Sequence, residues 1–256
     1  MNWDPSQYLR FETERAAPFE ETFELVRPRA GMRVVDLGCG TGDLTAQIAA
    51  RLPESETLGI DSSPAMIERA SRLARRGLRF EQRDFHTLEG EWDLVFAHAS
   101  LQWADDHPTL FARLRDHLAP GGQLVAQVPA NHGHLTHTAL AELAGESPFR
   151  EALSSWVRVS PVLRPSEYGE LLFRLGFESI AVRLVVYPHV VPNADALVEW
   201  MLGTGMLPYL DRLPEALRDP FVARYREILR ARRHERPVFF GFDRILLAGT
   251  RPVGSM

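Results

Sequence analysis

The sequence predicts an α/β fold, a doubly wound and mostly parallel seven-stranded sheet. Three observations point to it. Short apolar runs alternate with helical stretches through the first half of the chain, a glycine-rich turn joins the first of those runs to a helix, and the second run ends on an aspartate. Strands separated by helices need crossover connections, and crossovers leave the strands parallel.

Each element has its own signal. Residues 6–26 read as a helix with Tyr8, Phe11, Phe19, Phe23 and Val26 as its apolar positions, interrupted at Pro18 and closed by Pro28 and Gly31. Strands are expected over 33–36, 57–61, 79–83 and 93–97, and helices over 43–51 and 64–75. A helix over 108–118 leads to a Pro120-Gly121-Gly122 turn and a strand over 123–128. After Pro129 the alternation stops. A helix over 166–175 ends at Gly176, a strand follows over 179–187, residues 193–236 form an almost purely helical block, and residues 239–250 make the last strand. One domain is expected over 1–256, with a helical lid over 1–30 and a helical cap over 193–236 inserted before the last strand. Ligands of open α/β sheets bind beyond the carboxyl ends of the strands, where such a cap would cover a small-molecule site.

Composition narrows the function. Hydrophobic residues make up 45% and charged residues 25% of 256, an ordinary soluble balance. No apolar run approaches the roughly 20 residues that span a bilayer, so no membrane partner is expected. The opening Met1-Asn2-Trp3-Asp4-Pro5 lacks a secretory pattern, and the expected compartment is the cytoplasm. A net charge of −5 argues for no nucleic-acid partner, and a monomer is expected. The arginines 224, 226, 230, 232, 233 and 236 read as the solvated face of an amphipathic helix. Cys39 is the sole cysteine, which excludes an internal disulfide and a multi-cysteine metal site. All 29 Lys and Arg positions are arginine, which excludes a lysine Schiff base and an intact Walker A loop.

The strongest local signal is Asp36-Leu37-Gly38-Cys39-Gly40-Thr41-Gly42, between a strand and a helix. Glycines there permit positive φ and close approach of a ligand to the backbone. Asp61, at the end of the next strand, is placed to accept the hydroxyls of a ribose. A dinucleotide loop needs a third glycine, but reading from Gly40 that place holds Thr45, and reading from Gly38 it holds Asp43. A carboxylate at a helix N-terminus repels a pyrophosphate, so the loop suits a nucleoside without phosphate.

In that order and context the loop resembles the motif of class I S-adenosylmethionine-dependent methyltransferases, a Rossmann-like family. The resemblance implies S-adenosylmethionine as cofactor, held by Asp36, Gly38 and Gly40. It extends to Asp61-Ser62-Ser63-Pro64-Ala65-Met66, where Asp61, Ser62 and Met66 would hold ribose and flank adenine. Arg83-Asp84-Phe85 resembles the adenine-reading segment, and Asp93 to His98, including Ala97, the fourth strand leading to the reaction centre.

Over nearly its whole length the chain resembles the trans-aconitate 2-methyltransferase family. The carrying segments are Trp3-x-Pro5-x-x-Tyr8-Leu9-x-Phe11-x-x-Glu14-Arg15, Gly59 to Ile67, Ala97-x-Ala99-Ser100-Leu101-Gln102-Trp103, Gln127 with Asn131, Thr136-His137, Thr204-Gly205, Pro208-x-Leu210 and Arg244. Methyl transfer to a carboxylate of a small acid is implied, with Gln127 and Asn131 among the substrate contacts. Leu207 departs from the family, which has an arginine between Gly205 and Pro208; Ala130 and His134-Leu135 are further departures.

A carboxylate acceptor is already ionised at neutral pH, so no general base is required and no catalytic residue is nominated. Arg244 stands in a mostly apolar strand, where a cation is expected to meet an anion, read as a substrate's in preference to a structural ion pair. Arg15 is open between a cofactor or substrate carboxylate and a surface ion pair, and Tyr8 between a lid hydrogen bond and packing. His98 and Gln102 follow the fourth strand at the mouth of the site. The group His132-x-His134-x-x-His137 is read as pocket lining or exposed loop, and no metal site is expected.

Overall fold

The computed structural model describes residues 13–254, with side chains from residue 17 onward. Among these the chain divides into two compact units: a sheet unit of residues 13–129, 161–185 and 244–254, and a helical unit of residues 130–160 and 186–243.

Seven strands make one sheet: β1 (Arg33–Leu37), β2 (Glu56–Asp61), β3 (Leu78–Gln82), β4 (Trp92–His98), β5 (Leu118–Pro129), β6 (Glu178–Val191) and β7 (Val238–Thr250), in the order 3-2-1-4-5-7-6. The pairs β1–β2, β1–β4, β2–β3 and β4–β5 are parallel, and β7 runs antiparallel to β5. The expected mostly parallel sheet is therefore present, with one antiparallel exception. The central strands β1 and β4 are buried almost throughout, as strands covered on both faces must be.

In the sheet unit the helices are α1 (Thr13–Phe23), α2 (Asp43–Arg51), α3 (Pro64–Ala70), α4 (His107–Asp116) and, after the first helices of the other unit, α7 (Pro165–Arg174). Local chemistry fixes their starts. Ser63 accepts from the Met66 N–H with Pro64 in the first turn, and Asp106 accepts from the Thr109 N–H with Pro108 next along. On one face of the sheet, Phe19 of α1, Ile48 of α2 and Leu52 just after it pack with Val34, Leu94, Phe96 and Val125. Phe19 is 1% exposed and meets Phe96 edge-on at 6.0 Å. Residues 6–12 of the expected N-terminal helix lie outside the described residues.

The turn expected at Pro120-Gly121-Gly122 is not a turn between elements. β5 already begins at Leu118, pairs with Trp92, and absorbs these residues as an irregularity before the register resumes at Gln123 opposite Leu94. Gly121 supplies the positive φ (75°), and Gly122 lies so close to the Ala119 and Trp92 carbonyl oxygens that an added Cβ would stand 2.8 Å from each.

The helical unit holds α5 (Leu135–Ala144), α6 (Phe149–Ala152), α8 (Ala194–Leu202), α9 (Leu207–Leu210) and α10 (Glu215–Arg232). The helical block expected over 193–236 is thus three helices. Asn193 caps α8 through the Asp195 and Ala196 N–H groups. Trp200 is a packing residue, its ring 5.5 Å from those of Phe240 and Phe242. The arginine row on α10 is more than a solvated face. Arg224 pairs with Glu146 and Glu227, Arg226 with Asp195 and Glu199, Arg230 with Asp195, and Arg232 with Glu142, tying α10 to α5 and α8. Each such exposed pair contributes about 0–1 kcal/mol.

Gly122→Ala should destabilise the protein by about 1–3 kcal/mol, because backbone carbonyls cannot yield to a methyl group as a flexible side chain can. Urea unfolding checks this, and a midpoint equal to that of the parent would refute the close approach.

Candidate cofactor and acceptor site

The glycine loop is built by β1 handing its backbone to β2. The N–H groups of Gly38 and Cys39 both donate to the Ile60 carbonyl, at 2.8 and 2.9 Å, and the Gly42 N–H returns to the Cys39 carbonyl. Gly38, Gly40 and Gly42 have φ of 73°, 56° and 84°. Gly38 is required for space as well, since a Cβ there would stand 2.4 Å from Cβ of Ser100. The Ser100 hydroxyl donates to the Leu37 carbonyl at 2.5 Å, clasping the turn after β4 to the loop after β1.

Asp61 anchors the loop from the other side. One carboxylate oxygen accepts from the Gly40 N–H at 3.0 Å and the other from the Ser63 N–H at 2.9 Å. Each oxygen keeps a further lone-pair site, which suits two vicinal hydroxyls. Burial lifts the Asp61 carboxyl above its ordinary range, against the two N–H groups. Asp36 is more deeply placed at 3% exposure, and its carboxylate accepts from the Thr45 hydroxyl at 2.5 Å. Burial pushes it up to about 7, the Thr45 hydroxyl opposes, and the Asp61 charge adds to the rise. Two neighbouring carboxylates held this way make a site that favours a cation. Asp43 opens α2, accepting from the Thr41 hydroxyl, so the helix N-terminus carries its own negative charge. Cys39, within the loop, is buried, and burial with the charges of Asp36 and Asp61 raises its thiol far above the usual range.

Ser62 is exposed beside this loop and Met66 is buried on α3. Asp61 pairs with Gln82 at the end of β3, and Asp84 follows, exposed, with its carboxylate accepting from the His86 N–H at 2.8 Å. The Phe85 ring is 4.7 Å from that of His86. Ala97 is fully buried in β4. The carboxyl ends of β1 to β4 thus carry the nominated cofactor residues from Asp36 to Ala97, whereas Arg15 has no described side chain.

On the other side of β4 lies a second group. His98 pairs with Gln127 across β4 and β5, and Arg244 stands opposite Pro129 on β7. Arg244 donates from Nη1 to Oε1 of Gln127 at 3.1 Å. Both are buried, at 4% and 0% exposure, and Nε2 of Gln127 has no hydrogen-bond partner among the described residues. His98 is 6% exposed with its ring edge-on to Phe19 at 6.0 Å, and Gln102 donates to the Ala99 carbonyl. Asn131 belongs to the helical unit, where Nδ2 donates to the Gly241 carbonyl while its buried Oδ1 has no partner among the described residues. Tyr8 lies outside the described residues.

His134 and His137 flank Thr136 rather than an exposed loop. Oγ1 of Thr136 is 3.0 and 3.2 Å from their Nδ1 atoms, and burial, with the Arg158 charge next, holds His137 down to about 4. Among the described residues there is no group of three or more His, Cys, Asp or Glu side chains placed to hold a metal. Thr45 and Ser100 help build the loop without standing out in the sequence. Thr45 occupies a place where a dinucleotide loop has glycine, and its hydroxyl serves Asp36 instead. Ser100 was visible only as one letter in a longer run, since nothing in sequence reveals that it meets Gly38.

Comparison with known proteins agrees with this geometry. Residues 35–124 match a family described as a methyltransferase domain. A trans-aconitate 2-methyltransferase of Deinococcus radiodurans is 45% identical over 98% of this chain and 99% of its own length, and one of Rhizobium meliloti is 39% identical over 98% and 99%. Among solved structures, Haemonchus contortus phosphoethanolamine N-methyltransferase 2 in complex with S-adenosyl-L-methionine superposes with a TM-score of 0.56 at 19% identity, covering 93% of this chain and 53% of that one. That likeness is one of fold. The glycine loop, the Asp61 anchor and full-length identity of this order establish that the chain belongs to the trans-aconitate 2-methyltransferase family and is an S-adenosylmethionine-dependent methyltransferase.

Proposed function

We propose that the protein esterifies one carboxylate of trans-aconitate, or of a closely related polycarboxylate. The observation that carries the acceptor class is the buried Arg244–Gln127 pair between β7 and β5, which sets a guanidinium beside an amide. The planar donors of a guanidinium match a carboxylate.

When bound, the cofactor would supply an electrophilic methyl group on a sulfonium. A carboxylate acceptor carries its own negative charge, so the residues of the site would need to move no proton. The protein's own task is therefore alignment and exclusion of water. Asp61 holds the ribose hydroxyls with the lone pairs left by Gly40 and Ser63. Asp36, beside it, supplies negative charge for the cationic part of the cofactor, and Gly38 and Gly40 allow its close approach. Ser62, Met66, Asp84, Phe85 and Ala97 border the nucleoside, and Arg15 is assigned to a carboxylate. Arg244, Gln127, His98 and Gln102 would receive the acid. Leu207 in place of the family's arginine points to an acceptor gripped by fewer cations. A monomer in the cytoplasm, without nucleic acid, completes the reading, in keeping with the net charge of −5.

Incubation with labelled S-adenosylmethionine and a panel of di- and tricarboxylic acids tests the acceptor, with mass analysis of the product. A methyl ester of a tricarboxylate is expected, and transfer only to amines or carbon would overturn the reading.

Asp61→Ala should weaken S-adenosylhomocysteine binding about a hundredfold or more, since two charge-assisted hydrogen bonds worth about 1.5–3 kcal/mol each are lost. Unchanged affinity in calorimetry would remove Asp61 from the ribose. Arg244→Gln should raise KM for the acid about tenfold to a hundredfold while cofactor affinity holds. A lowered Tm with normal kinetics would make this arginine structural instead.

Asp36 gives a proton signature. Its folded value of about 7 lies above the ordinary 3.8, so between those values the folded state holds the extra proton, and Asp36 costs stability as pH rises through this window. A cation bound beside it favours the ionised form. S-adenosylmethionine binding at pH 6 should therefore release protons, read as a buffer-dependent binding enthalpy that is absent in Asp36→Asn. Equal enthalpies in buffers of different ionisation heat would refute the pairing.

A further inference from the structure

We infer that His107 and Tyr168 form a positioning pair that sets the segment from His98 to Trp103, and with it the acceptor side of the site, against the glycine loop. The inference rests on the acceptor reading given above. Neither residue is itself one of the expected cofactor or acceptor contacts, and both are in the sheet unit and buried, at 1% and 0% exposure.

The hydrogen bonding has one consistent assignment. Nε2 of His107 is 2.9 Å from the Leu101 carbonyl oxygen, which can only accept, so Nε2 carries the hydrogen. Nδ1 is then bare and accepts from the Tyr168 hydroxyl at 2.5 Å. The Tyr168 oxygen in turn takes the Leu163 N–H. The Phe111 ring lies 5.8 Å from His107 and 5.6 Å from Tyr168, closing the group in apolar contact. A neutral imidazole is thus held in one tautomer and one orientation.

Its output is the Leu101 carbonyl, which also accepts the Ala104 N–H at 2.9 Å and so caps the short 3-10 turn Leu101–Trp103. That turn follows directly on Ala99, whose φ is 53° without being glycine, and on Ser100, whose hydroxyl grips Leu37. Strained backbone of this kind persists only where its surroundings fix it. The segment is pinned in its middle, to the end of β1 by the Ser100 hydroxyl and to α4 and α7 by His107 and Tyr168 through the Leu101 carbonyl. His98 and Gln102 flank the two pins.

The pair is also sensitive to acid. A proton on Nδ1 would oppose the hydroxyl hydrogen of Tyr168, which cannot turn without leaving its place in the chain of donors. α7 presents the Tyr168 hydroxyl to the ring, the turn presents the Leu101 carbonyl, and Asp106 on its own helix is the charged neighbour. Burial holds His107 below the ordinary histidine range, the Leu101 carbonyl and Asp106 opposing.

The test uses the full chain with Tyr168→Phe, His107→Leu and His107→Gln. Gln keeps a donor for Leu101 but does not titrate. For Tyr168→Phe and His107→Leu we expect kcat/KM for trans-aconitate to fall about tenfold, the order expected from a small misplacement of reacting groups. S-adenosylhomocysteine affinity should stay near that of the parent, and amide exchange should quicken at Trp103 and Ala104. His107→Gln should keep most of the activity and, at saturating S-adenosylmethionine, show a smaller fall in kcat/KM on acidification than the parent. Parent-like kinetics and exchange in both disrupting variants, measured well below their Tm, would overturn the inference, as would an acid limb unchanged in His107→Gln. If the parent esterifies no polycarboxylate, the acceptor reading fails by itself; exchange at Trp103 and Ala104 still decides the positioning role.

Discussion

The candidate site hangs on the contact between Gly38 and Ser100. Two parallel strands end side by side, and the turns leaving them must pass without a side chain between them. Gly38 provides the missing Cβ, and Ser100 converts the close approach into a hydrogen bond to Leu37. From that point one branch runs through Gly40 to Asp61 and the nucleoside side, and another through Leu101 to the acceptor side. A change at the contact would move both branches together, which is how a reaction that asks mainly for alignment can be served by backbone as much as by side chains.

Charge is organised differently in the two units. In the sheet unit the important carboxylates are a buried Asp36 and a half-buried Asp61, and their neighbours are hydroxyl and N–H donors rather than arginines. In the helical unit the acids face guanidiniums on an exposed surface, where salt screens them. The first arrangement raises the energy of negative charge and invites a cation. The second merely steadies helices.

Much of this was legible in the sequence because it depends on local rules. The alternation of strands and helices, the glycine loop and the acid ending β2 follow from periodicity and from the few residue types that tolerate positive φ. What stayed hidden depends on distant contact. α5 carries the apolar spacing of a helix at Ala139, Leu140, Leu143 and Ala144, but the histidines and glycine before it masked the signal. The Pro120-Gly122 run looked like a connection because nothing local says that Trp92 lies against it. The partners of Asp36 and of Leu101 come from residues 45 and 107, chosen by packing rather than by spacing.

Cys39 has a chemical consequence of its own. It sits in the loop assigned to an alkylating agent, and a thiolate is a ready acceptor of methyl groups. Burial and the two nearby carboxylates keep the sulfur protonated, and its hydrogen points toward the Gly40 carbonyl. A thiol held in this state is a poor nucleophile, so the loop would not compete for a methyl group offered nearby, a form of self-protection that requires no additional residue.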